Sequence, residues 1–319
     1  MPTSKPAEAS APILVTMGEP GGIGPEVAVA AYEALGGVAG THPLQLVGDA
    51  DVFRRHGRLD DSAILAGSHR VTPKAGFADP ENAAAVIAAI DDAVQAALEG
   101  RAAAVVTAPI QKASLMDAGF GFAGHTEYLQ HLTGSRRAVM MLAGGGLRVV
   151  PLTIHVALAE VPGLITQGAI VETAEIMLAA LAGDFSIAHP RLAIAGLNPH
   201  AGEDGRLGGA EMETIAPAVA QLRARGFDVS GPLPADTMFH GEARARYDAA
   251  LCMYHDQALI PIKTLAFWEG VNVTLGLPIV RTSPDHGTAL DIAGRGHADP
   301  RSMVAAIKLA AAIADARAH

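Results

Sequence analysis

Short apolar runs alternate with longer alanine-rich segments along most of the chain. The apolar runs are rich in β-branched residues and cover positions 13–17, 44–47, 103–107, 147–154, 192–197, 249–253 and 271–275. Between them, the clearest helical patterns cover 80–99 and 165–182, which stop at Gly100 and Gly183. Glycine directly after a periodic segment is a common helix terminator. The alternation predicts an α/β fold with a largely parallel sheet flanked by helices.

A run of three glycines, 144–146, separates two apolar stretches at 138–142 and 147–154. Glycine tolerates the positive φ angles that tight hairpin turns require. The spacing therefore predicts that these two stretches form an antiparallel hairpin, and that the glycines form its turn rather than a phosphate-binding loop.

The length and composition indicate a large globular enzyme. With 319 residues, half of them apolar, the chain is long enough for two domains with a cleft between them. The only cysteine, Cys252, lies in an apolar run, which predicts a buried thiol in a reducing compartment and excludes a disulfide framework. No tether-like linker is present, so we expect the domain boundaries where strands cross over.

The net charge disfavours several classes of partner, and residues 1–11 do not resemble a targeting peptide. A formal net charge of -10 disfavours nucleic acid and anionic membranes as partners, because both are bound by dense Lys and Arg patches. Residues 1–11 contain one Lys and no apolar segment, which is unlike a signal or transit peptide. No run approaches the roughly 18 apolar residues of a membrane span. We expect a soluble, cytoplasmic protein.

The sequence GEPGGIGPE at 18–26 follows the first apolar run and contains Pro25, a residue favoured in the first turn of a helix. It matches neither the G-x-G-x-x-G dinucleotide fingerprint nor a P-loop. The segment predicts a tight strand-to-helix turn, which either lies near a ligand or serves the turn alone.

Three histidines follow three apolar runs at the same relative place: His155, His200 and His255. Carboxyl ends of strands in an open α/β sheet gather on one edge, where ligands bind. Each histidine alone would more often be a structural or hydrogen-bonding residue. Together they predict a shared metal site, because three imidazoles leave open coordination positions for a substrate.

Two carboxylates accompany the last histidine: Asp256 beside it, and Asp236 in the segment PADTMF. Either could orient a ligand histidine or accept a proton, although helix capping is the simpler role for Asp256. Asp204 and Arg206, in the loop HAGEDGRLG, have the composition of a solvated turn.

Cations are scarce among the apolar runs, which draws attention to Lys263 and Arg281. A charge beside a strand usually needs an anionic partner, and a bound phosphate or carboxylate would supply one. Asn272 could add a neutral donor. His125 and Thr126 open a helical pattern that resembles an anion site at a helix N-terminus, with capping as the alternative for Thr126.

Taken together, the motifs resemble the 4-hydroxythreonine-4-phosphate dehydrogenase (PdxA) family over nearly the whole chain from Ile13. The segments that carry the resemblance are MGEPGGIGPE, GHTEYL, TIH, LNPHAGE, GPLPADTMF, MYHDQALIPIK and VNVTLGLPIVRTSPDHGTALDIAG. The stretch HGTALDIAGRGHADP, from His286 to Pro300, is also similar to the adenine-side loop of isopropylmalate and isocitrate dehydrogenases. Those enzymes bind NAD(P) without a Rossmann fingerprint.

The resemblance implies a role for each matching position. His155, His200 and His255 would hold one divalent metal, with one histidine supplied by the other subunit of a homodimer. The resemblance places substrate contacts at His125, Thr126, Lys263, Asn272 and Arg281, and cofactor contacts at Gly18, Gly21, His286, Gly287 and Asp291. The catalytic candidates are Lys263, Asp256 and Asp236, and a metal-bound water is a further candidate for the base.

The resemblance also implies an isopropylmalate-dehydrogenase-like, two-domain arrangement with the active-site cleft between the domains. Residues 11–123 and 270–319 would form a discontinuous α/β domain carrying the cofactor loop. Residues 124–269 would form a second α/β domain with the metal ligands and the dimer interface, and residues 1–10 a flexible extension.

The implied activity is NAD(P)-dependent oxidation of 4-phosphohydroxy-L-threonine to 2-amino-3-oxo-4-(phosphooxy)butanoate. That product decarboxylates to 3-amino-2-oxopropyl phosphate in pyridoxal 5'-phosphate (vitamin B6) biosynthesis. Imidazole ligands suit zinc, cobalt or nickel, and the family also allows magnesium or manganese. The alternatives are a related dehydrogenase acting on 4-phospho-D-threonate, its erythronate isomer or a dihydrodiol dicarboxylate, a three-histidine metallohydrolase, and a non-catalytic phosphometabolite-binding protein.

Overall fold

A computed structural model describes residues 10–122 and 124–318, and the chain forms two compact units. The first unit contains the residues up to Arg136 together with Leu277–Asp315, and the second contains Arg137–Gly276 and the residues after Asp315. The units therefore divide at 136/137 and 276/277, later along the chain than the predicted boundaries at 123/124 and 269/270. The predicted flexible extension, apart from Ser10, lies outside the described residues, and the functions assigned to the two domains stay predictions.

The first unit is a mostly parallel sheet with helices between its strands. Its described strands run in the order β2-β3-β1-β5-β12, and β4 pairs with β3; among these strand pairs, only β2–β3 is antiparallel. The elements are β1 Ile13–Thr16, α1 Gly24–Ala34, β2 Val38–Ala39, β3 His42–Gly48, α2 Ala50–Arg54, β4 Ile64–Ala66, α3 Ala83–Leu98, β5 Ala104–Val106, α4 Lys112–Asp117, α5 His125–Thr133, β12 Arg281–Pro284 and α11 Arg301–Ala318, whose last residues belong to the second unit.

The second unit has its strands in the order β11-β6-β7-β10-β8-β9. The pairs β11–β6 and β6–β7 are antiparallel, and β7, β10, β8 and β9 run parallel. Its elements are β6 Val139–Gly144, β7 Leu147–Thr153, α6 Val161–Leu164, α7 Gln167–Gly183, β8 Arg191–Ala195, α8 Ala216–Ala224, β9 Asp228–Leu233, α9 Gly241–Arg244, β10 Ala249–Tyr254, α10 His255–Ala266 and β11 Val271–Leu275.

The predicted α/β fold is confirmed, and most predicted strands are found within one or two residues. The hairpin prediction is also confirmed, because β6 and β7 pair antiparallel and Gly145 and Gly146 turn with φ of 56° and 72°. The predicted helix at 80–99 begins as a 3-10 turn, Pro80–Asn82, before α3. Asp79 caps this turn by accepting a hydrogen bond from the Glu81 amide.

The central strands are buried on both faces, which explains their continuous apolar sequences. All four residues of β1 are buried, and in β10 the side chains from Ala249 to Met253 are fully inaccessible. Cys252 lies in β10, so the prediction of a buried thiol is confirmed, and burial raises the pKa of that thiol.

Across the described ranges, no single helix is long and apolar enough to cross a bilayer; one pair bent by 89°, Leu158–Leu164 with Gln167–Gly183, passes on length and composition only.

Candidate functional site

The three predicted metal-binding histidines follow three neighbouring strands of the second unit. His155 follows β7, His200 follows β8, and His255 begins α10 directly after β10. Strand β10 pairs in parallel with both β7 and β8. The carboxyl ends of the three strands therefore lie side by side along one edge of the sheet, which is the edge where α/β proteins bind ligands.

His155 and His255 lie close together at this edge. Their ring centroids are 6.1 Å apart, and both side chains line a surface pocket together with Asp256. The Nδ1 of His255 is 2.7 Å from a carboxylate oxygen of Asp256, which holds the ring in one orientation. Capping by Asp256 is wrong, because α10 already begins at His255 and its N-cap is Tyr254. A carboxylate on one imidazole nitrogen directs the other nitrogen outward, a common arrangement in metal sites.

His200 is presented by an unusual backbone turn. Every residue from His200 to Gly205 has a positive φ, although Gly202 and Gly205 are the only glycines among these six residues. Residues other than glycine lose roughly 1–2 kcal/mol each in this conformation. Strain of this kind persists only where surrounding contacts enforce it, and it concentrates at functional sites.

Glu211 supplies those contacts from the helical segment that follows the turn. Its carboxylate, only 2 % exposed, accepts hydrogen bonds from the backbone N–H of Asn198 at 2.6 Å and from the Asn198 Nδ2 at 3.0 Å. A methyl group on Gly202 would lie 2.6 Å from the same carboxylate, so glycine is needed for this approach. Burial raises the pKa of Glu211, but the hydrogen bonds from Asn198 outweigh burial and hold the pKa below its ordinary value.

Replacing Glu211 with glutamine is expected to destabilise the second unit. The two carboxylate oxygens of Glu211 accept from two donors of Asn198, whereas the glutamine side chain has only one acceptor oxygen, so one of these hydrogen bonds is lost. A hydrogen bond to a buried charged group contributes about 1.5–3 kcal/mol. The free energy of unfolding of E211Q, measured by urea denaturation, should fall by about that amount. The matched control is E213Q, because Glu213 is an exposed carboxylate on the same segment. Equal losses in E211Q and E213Q would contradict the role of Glu211.

The donor set at this edge fits a divalent metal in its chemistry. Imidazole nitrogens are the preferred ligands of zinc, cobalt and nickel in proteins. Within the described part of a single chain, no group of three or more His, Cys, Asp or Glu side chains is arranged to hold a metal ion. The prediction that a second subunit contributes one histidine therefore stays a prediction.

Of the remaining candidates of the second unit, Asp236 and Asp256 lie near this edge, whereas Lys263 and Asn272 lie farther away, in α10 and β11. Asp236, in a 3-10 turn, and Asp256 line a shallow pocket beside Tyr254. Lys263 lies in α10 with its Nζ 5.8 Å from the centre of the Phe267 ring. Asn272 lies in β11, and its Oδ1 is buried without a hydrogen-bond partner among the described residues. Asp204 and Arg206 are exposed in the turn, so their prediction as solvated surface is confirmed.

The first unit contains a separate cationic cluster. Arg281 begins β12, is 3 % exposed, and donates a hydrogen bond of 2.5 Å from Nη2 to the Thr107 hydroxyl. Burial lowers the pKa of Arg281 to about 9, so the guanidinium is still charged at neutral pH. A buried guanidinium needs anionic compensation, and a bound phosphate is its natural partner.

His125, at the start of α5, lies beside this cluster. Its Nε2 is buried and has no hydrogen-bond partner within residues 10–122 and 124–318. Burial lowers the pKa of His125 well below its ordinary value, and the positive charges of Arg281 and Lys112 lower it further. At neutral pH the ring is uncharged and can donate one hydrogen bond to an anion. The N-terminus of α5 adds backbone N–H donors beside the His125 ring.

Lys112 is a residue that the sequence reasoning missed. It begins α4, and a methyl group added to Gly124 would lie 3.3 Å from its Nζ, so the ammonium lies at the N-terminus of α5. The criterion that selected Lys263 and Arg281, a cation shortly after an apolar run, would also have found it, because it follows β5. Capping by Thr126 is wrong, since the N-cap of α5 is Gly124 and Thr126 lies within the first turn.

The depressed pKa of His125 predicts a pH-dependent stability. Between its lowered folded pKa and the unfolded value of about 6.5, only the unfolded chain binds the proton. The free energy of unfolding should therefore fall as pH is lowered through 6.5, and His125→Gln should reduce that slope. Urea denaturation between pH 7 and 5 measures it, with His131→Gln on the exposed side of α5 as the control. Identical slopes for wild type and His125→Gln would rule out this contribution.

The two predicted cofactor segments lie against each other in the first unit. The Ile23 N–H donates to the Thr288 carbonyl at 2.9 Å, which joins the 18–26 turn to the loop that carries His286, Gly287 and Asp291. Gly18 has a φ of 67°, and a methyl group on Gly21 would lie 2.0 Å from the Phe77 carbonyl. Both glycines are therefore required by the backbone path. The predicted strand-to-helix turn is confirmed, whereas cofactor contact stays a prediction.

Comparison with known proteins places the chain among dehydrogenases. A sequence model of the family described as "Pyridoxal phosphate biosynthetic protein PdxA" matches residues 30–310. A 4-hydroxythreonine-4-phosphate dehydrogenase of Roseobacter denitrificans is 54% identical, over 96% of this chain and 98% of its own length. The crystal structure of a Klebsiella pneumoniae enzyme of that name is 37% identical with a TM-score of 0.84, covering 96% and 100%. A terephthalate 1,2-cis-dihydrodioldehydrogenase of Burkholderia xenovorans is 31% identical with a TM-score of 0.67, covering 94% and 97%.

Proposed function

This chain belongs to the family of the pyridoxal phosphate biosynthetic protein PdxA, and from that premise we propose that it is a 4-hydroxythreonine-4-phosphate dehydrogenase. Its substrate would be 4-phosphohydroxy-L-threonine and its oxidant NAD or NADP. The observation that carries the substrate class is the buried guanidinium of Arg281 beside His125 and Lys112, a set suited to a phosphate group in an otherwise acidic protein.

Some residues of the chain would bind the substrate, and others would accept the proton that the substrate loses. We assign binding and orientation of the phosphorylated substrate to His125, Thr126, Lys263, Asn272 and Arg281. The carbon that bears the secondary hydroxyl would lose a hydride to the nicotinamide, and the hydroxyl would lose its proton to a base, for which Lys263, Asp256 and Asp236 are the candidates. The resulting β-keto acid releases carbon dioxide and leaves 3-amino-2-oxopropyl phosphate.

His155, His200 and His255 would hold a divalent metal, such as zinc, cobalt or magnesium. When bound, that ion supplies positive charge that favours deprotonation of the hydroxyl and withdraws electrons from the ketone. Asp256 keeps the His255 ring in its orientation through the contact at Nδ1.

We also propose a homodimer that shares the metal site and works in the cytoplasm. Large apolar side chains are exposed in the middle of α10, at Ile260, and just after the helix, at Phe267 and Trp268. Exposed apolar clusters of this kind usually mark a protein interface. The Gly18–Gly21 turn and the loop of His286, Gly287 and Asp291 would bind the nicotinamide cofactor.

A second candidate function is a dehydrogenase for a different small diol or acid. The similarity to a terephthalate dihydrodiol dehydrogenase supports it, because a carboxylate could occupy the same cationic cluster as a phosphate. Related phosphorylated acids, such as 4-phospho-D-threonate, would fit the same cluster.

The assignment is tested by incubating the metal-loaded protein with NAD or NADP and 4-phosphohydroxy-L-threonine while the reduced cofactor is followed by absorbance. Parallel samples contain 4-phospho-D-threonate, a dihydrodiol dicarboxylate, or a chelator. Reduction with the hydroxythreonine phosphate that the chelator abolishes supports the proposal. Reduction only with another substrate moves the function to that substrate, and no reduction with any of them rejects the dehydrogenase.

A further inference from the structure

The backbone pairing of the three histidine-bearing strands stops before the histidines are reached. Between β10 and β8 the paired residues end at Leu251 and Ile194, whereas the histidines are His255 and His200. Backbone hydrogen bonds of the sheet therefore do not fix the distance between these two strand ends. Side-chain hydrogen bonds can therefore add a constraint on that distance beyond the paired residues.

Gln257, in the first turn of α10, provides such a constraint. Its Oε1 accepts a hydrogen bond from the Met253 N–H at 2.7 Å, and its Nε2 donates to the Gly196 carbonyl at 2.8 Å. Met253 belongs to β10, and Gly196 directly follows β8. The side chain is 9 % exposed, and both bonds are buried. One amide therefore joins the strand end before His255 to the strand end before His200.

The third strand end is joined to the same residue. The hydroxyl of Thr153, at the end of β7, donates to the Met253 carbonyl at 2.8 Å in a buried contact. The Met253 carbonyl thus accepts a hydrogen bond from Thr153, and the Met253 N–H donates one to Gln257. The strand ends before His155, His200 and His255 are linked through a single residue of β10, Met253.

Donor and acceptor are fixed at each end of this network. A carbonyl can only accept and a backbone N–H can only donate, so the amide of Gln257 has one usable orientation. Exchanging its NH2 for a carboxylate oxygen keeps the shape but places two acceptors against each other at Gly196. Low local dielectric makes such a mismatch costly.

We propose that Gln257 is a positioning residue that sets the spacing of the three histidine-bearing strand ends and thereby the affinity for the divalent metal. This role rests on the proposed three-histidine site. Gln257 does not contact the metal in this scheme, because both ends of its amide are occupied by backbone groups.

The test measures Co²⁺ binding to the full-length protein by calorimetry, together with the visible absorption of bound Co²⁺ and the thermal midpoint of the metal-free protein. Q257E should weaken Co²⁺ binding about tenfold or more and change the absorption spectrum, as loss of supporting hydrogen bonds does at metal sites. The matched control is Q221E, because Gln221 also accepts a side-chain hydrogen bond but does so at the surface of the same unit. Q221E should bind Co²⁺ like wild type.

A Q257E protein with a lower thermal midpoint and wild-type Co²⁺ affinity would show that Gln257 serves only the fold, and the proposal would be wrong. Should Q257E fail to fold, Q257M decides, because it removes both hydrogen bonds of the Gln257 amide without placing a charge beside the Gly196 carbonyl; unaltered Co²⁺ affinity in Q257M rejects the positioning role. H200A separates this inference from the proposed site. Wild-type binding in H200A rejects the three-histidine site and this role together, whereas loss in H200A with none in Q257E rejects Gln257 alone.

Discussion

Replacing His200 with alanine is expected to abolish dehydrogenase turnover and to lower the metal content of the purified protein. His200 is exposed at the end of β8 and held in place by the left-handed turn, so removing its ring should change the site without disturbing the core. A site with one imidazole fewer loses both affinity and the charge that favours hydroxyl deprotonation. The measurements are metal content by elemental analysis and the rate of nicotinamide reduction.

The control for H200A is H240A, since His240 is another exposed histidine of the second unit, outside the three strand ends. H240A should keep wild-type metal content and turnover. Full activity in H200A would refute the metal role. A loss in H200A accompanied by a large drop in thermal midpoint would instead assign the residue to folding.

Replacing Arg281 with methionine should strongly reduce kcat/KM for the phosphorylated substrate. Truncating one partner of a buried, hydrogen-bonded charge pair costs about 2–5 kcal/mol, and each 1.36 kcal/mol corresponds to a factor of ten in rate. We therefore expect a loss of about 30-fold to several thousand-fold. Steady-state kinetics measure it, and competitive inhibition by inorganic phosphate should weaken in parallel.

Two variants delimit this prediction. R281K keeps the charge but loses the planar guanidinium, so it should recover only part of the activity. R101M removes an exposed arginine of the same unit and should behave like wild type. An R281M protein with unchanged kcat/KM and unchanged phosphate inhibition would exclude Arg281 from substrate binding.

Much of the fold was predictable because its signals are local. Apolar runs such as 249–253 reflect burial on both faces of a parallel strand, and the three glycines at 144–146 mark a turn that their own conformational freedom makes favourable. The capping roles of Thr126 and Asp256 were not predictable in the same way. Each helix begins two residues earlier than those roles require, and helix starts are uncertain by about that much.

The linear order of residues shows, without coordinates, which side chains follow the strands. Histidines placed shortly after three apolar runs, and cations such as Arg281 beside a strand, are visible in the linear order because a strand carries whatever follows it to the sheet edge. Their chemistry, and hence the dehydrogenase family, could be recognised without coordinates.

The contacts that hold those residues in place became visible from the coordinates alone. That β7, β10 and β8 are neighbours follows from the order of strands in the sheet, which no local pattern encodes. The contacts of Glu211 with Asn198, of Gln257 with Gly196, and of Lys112 with the start of α5 join residues that are separate along the chain. Such contacts depend on distances between elements after folding, whereas sequence patterns report only the surroundings of each residue within its own element.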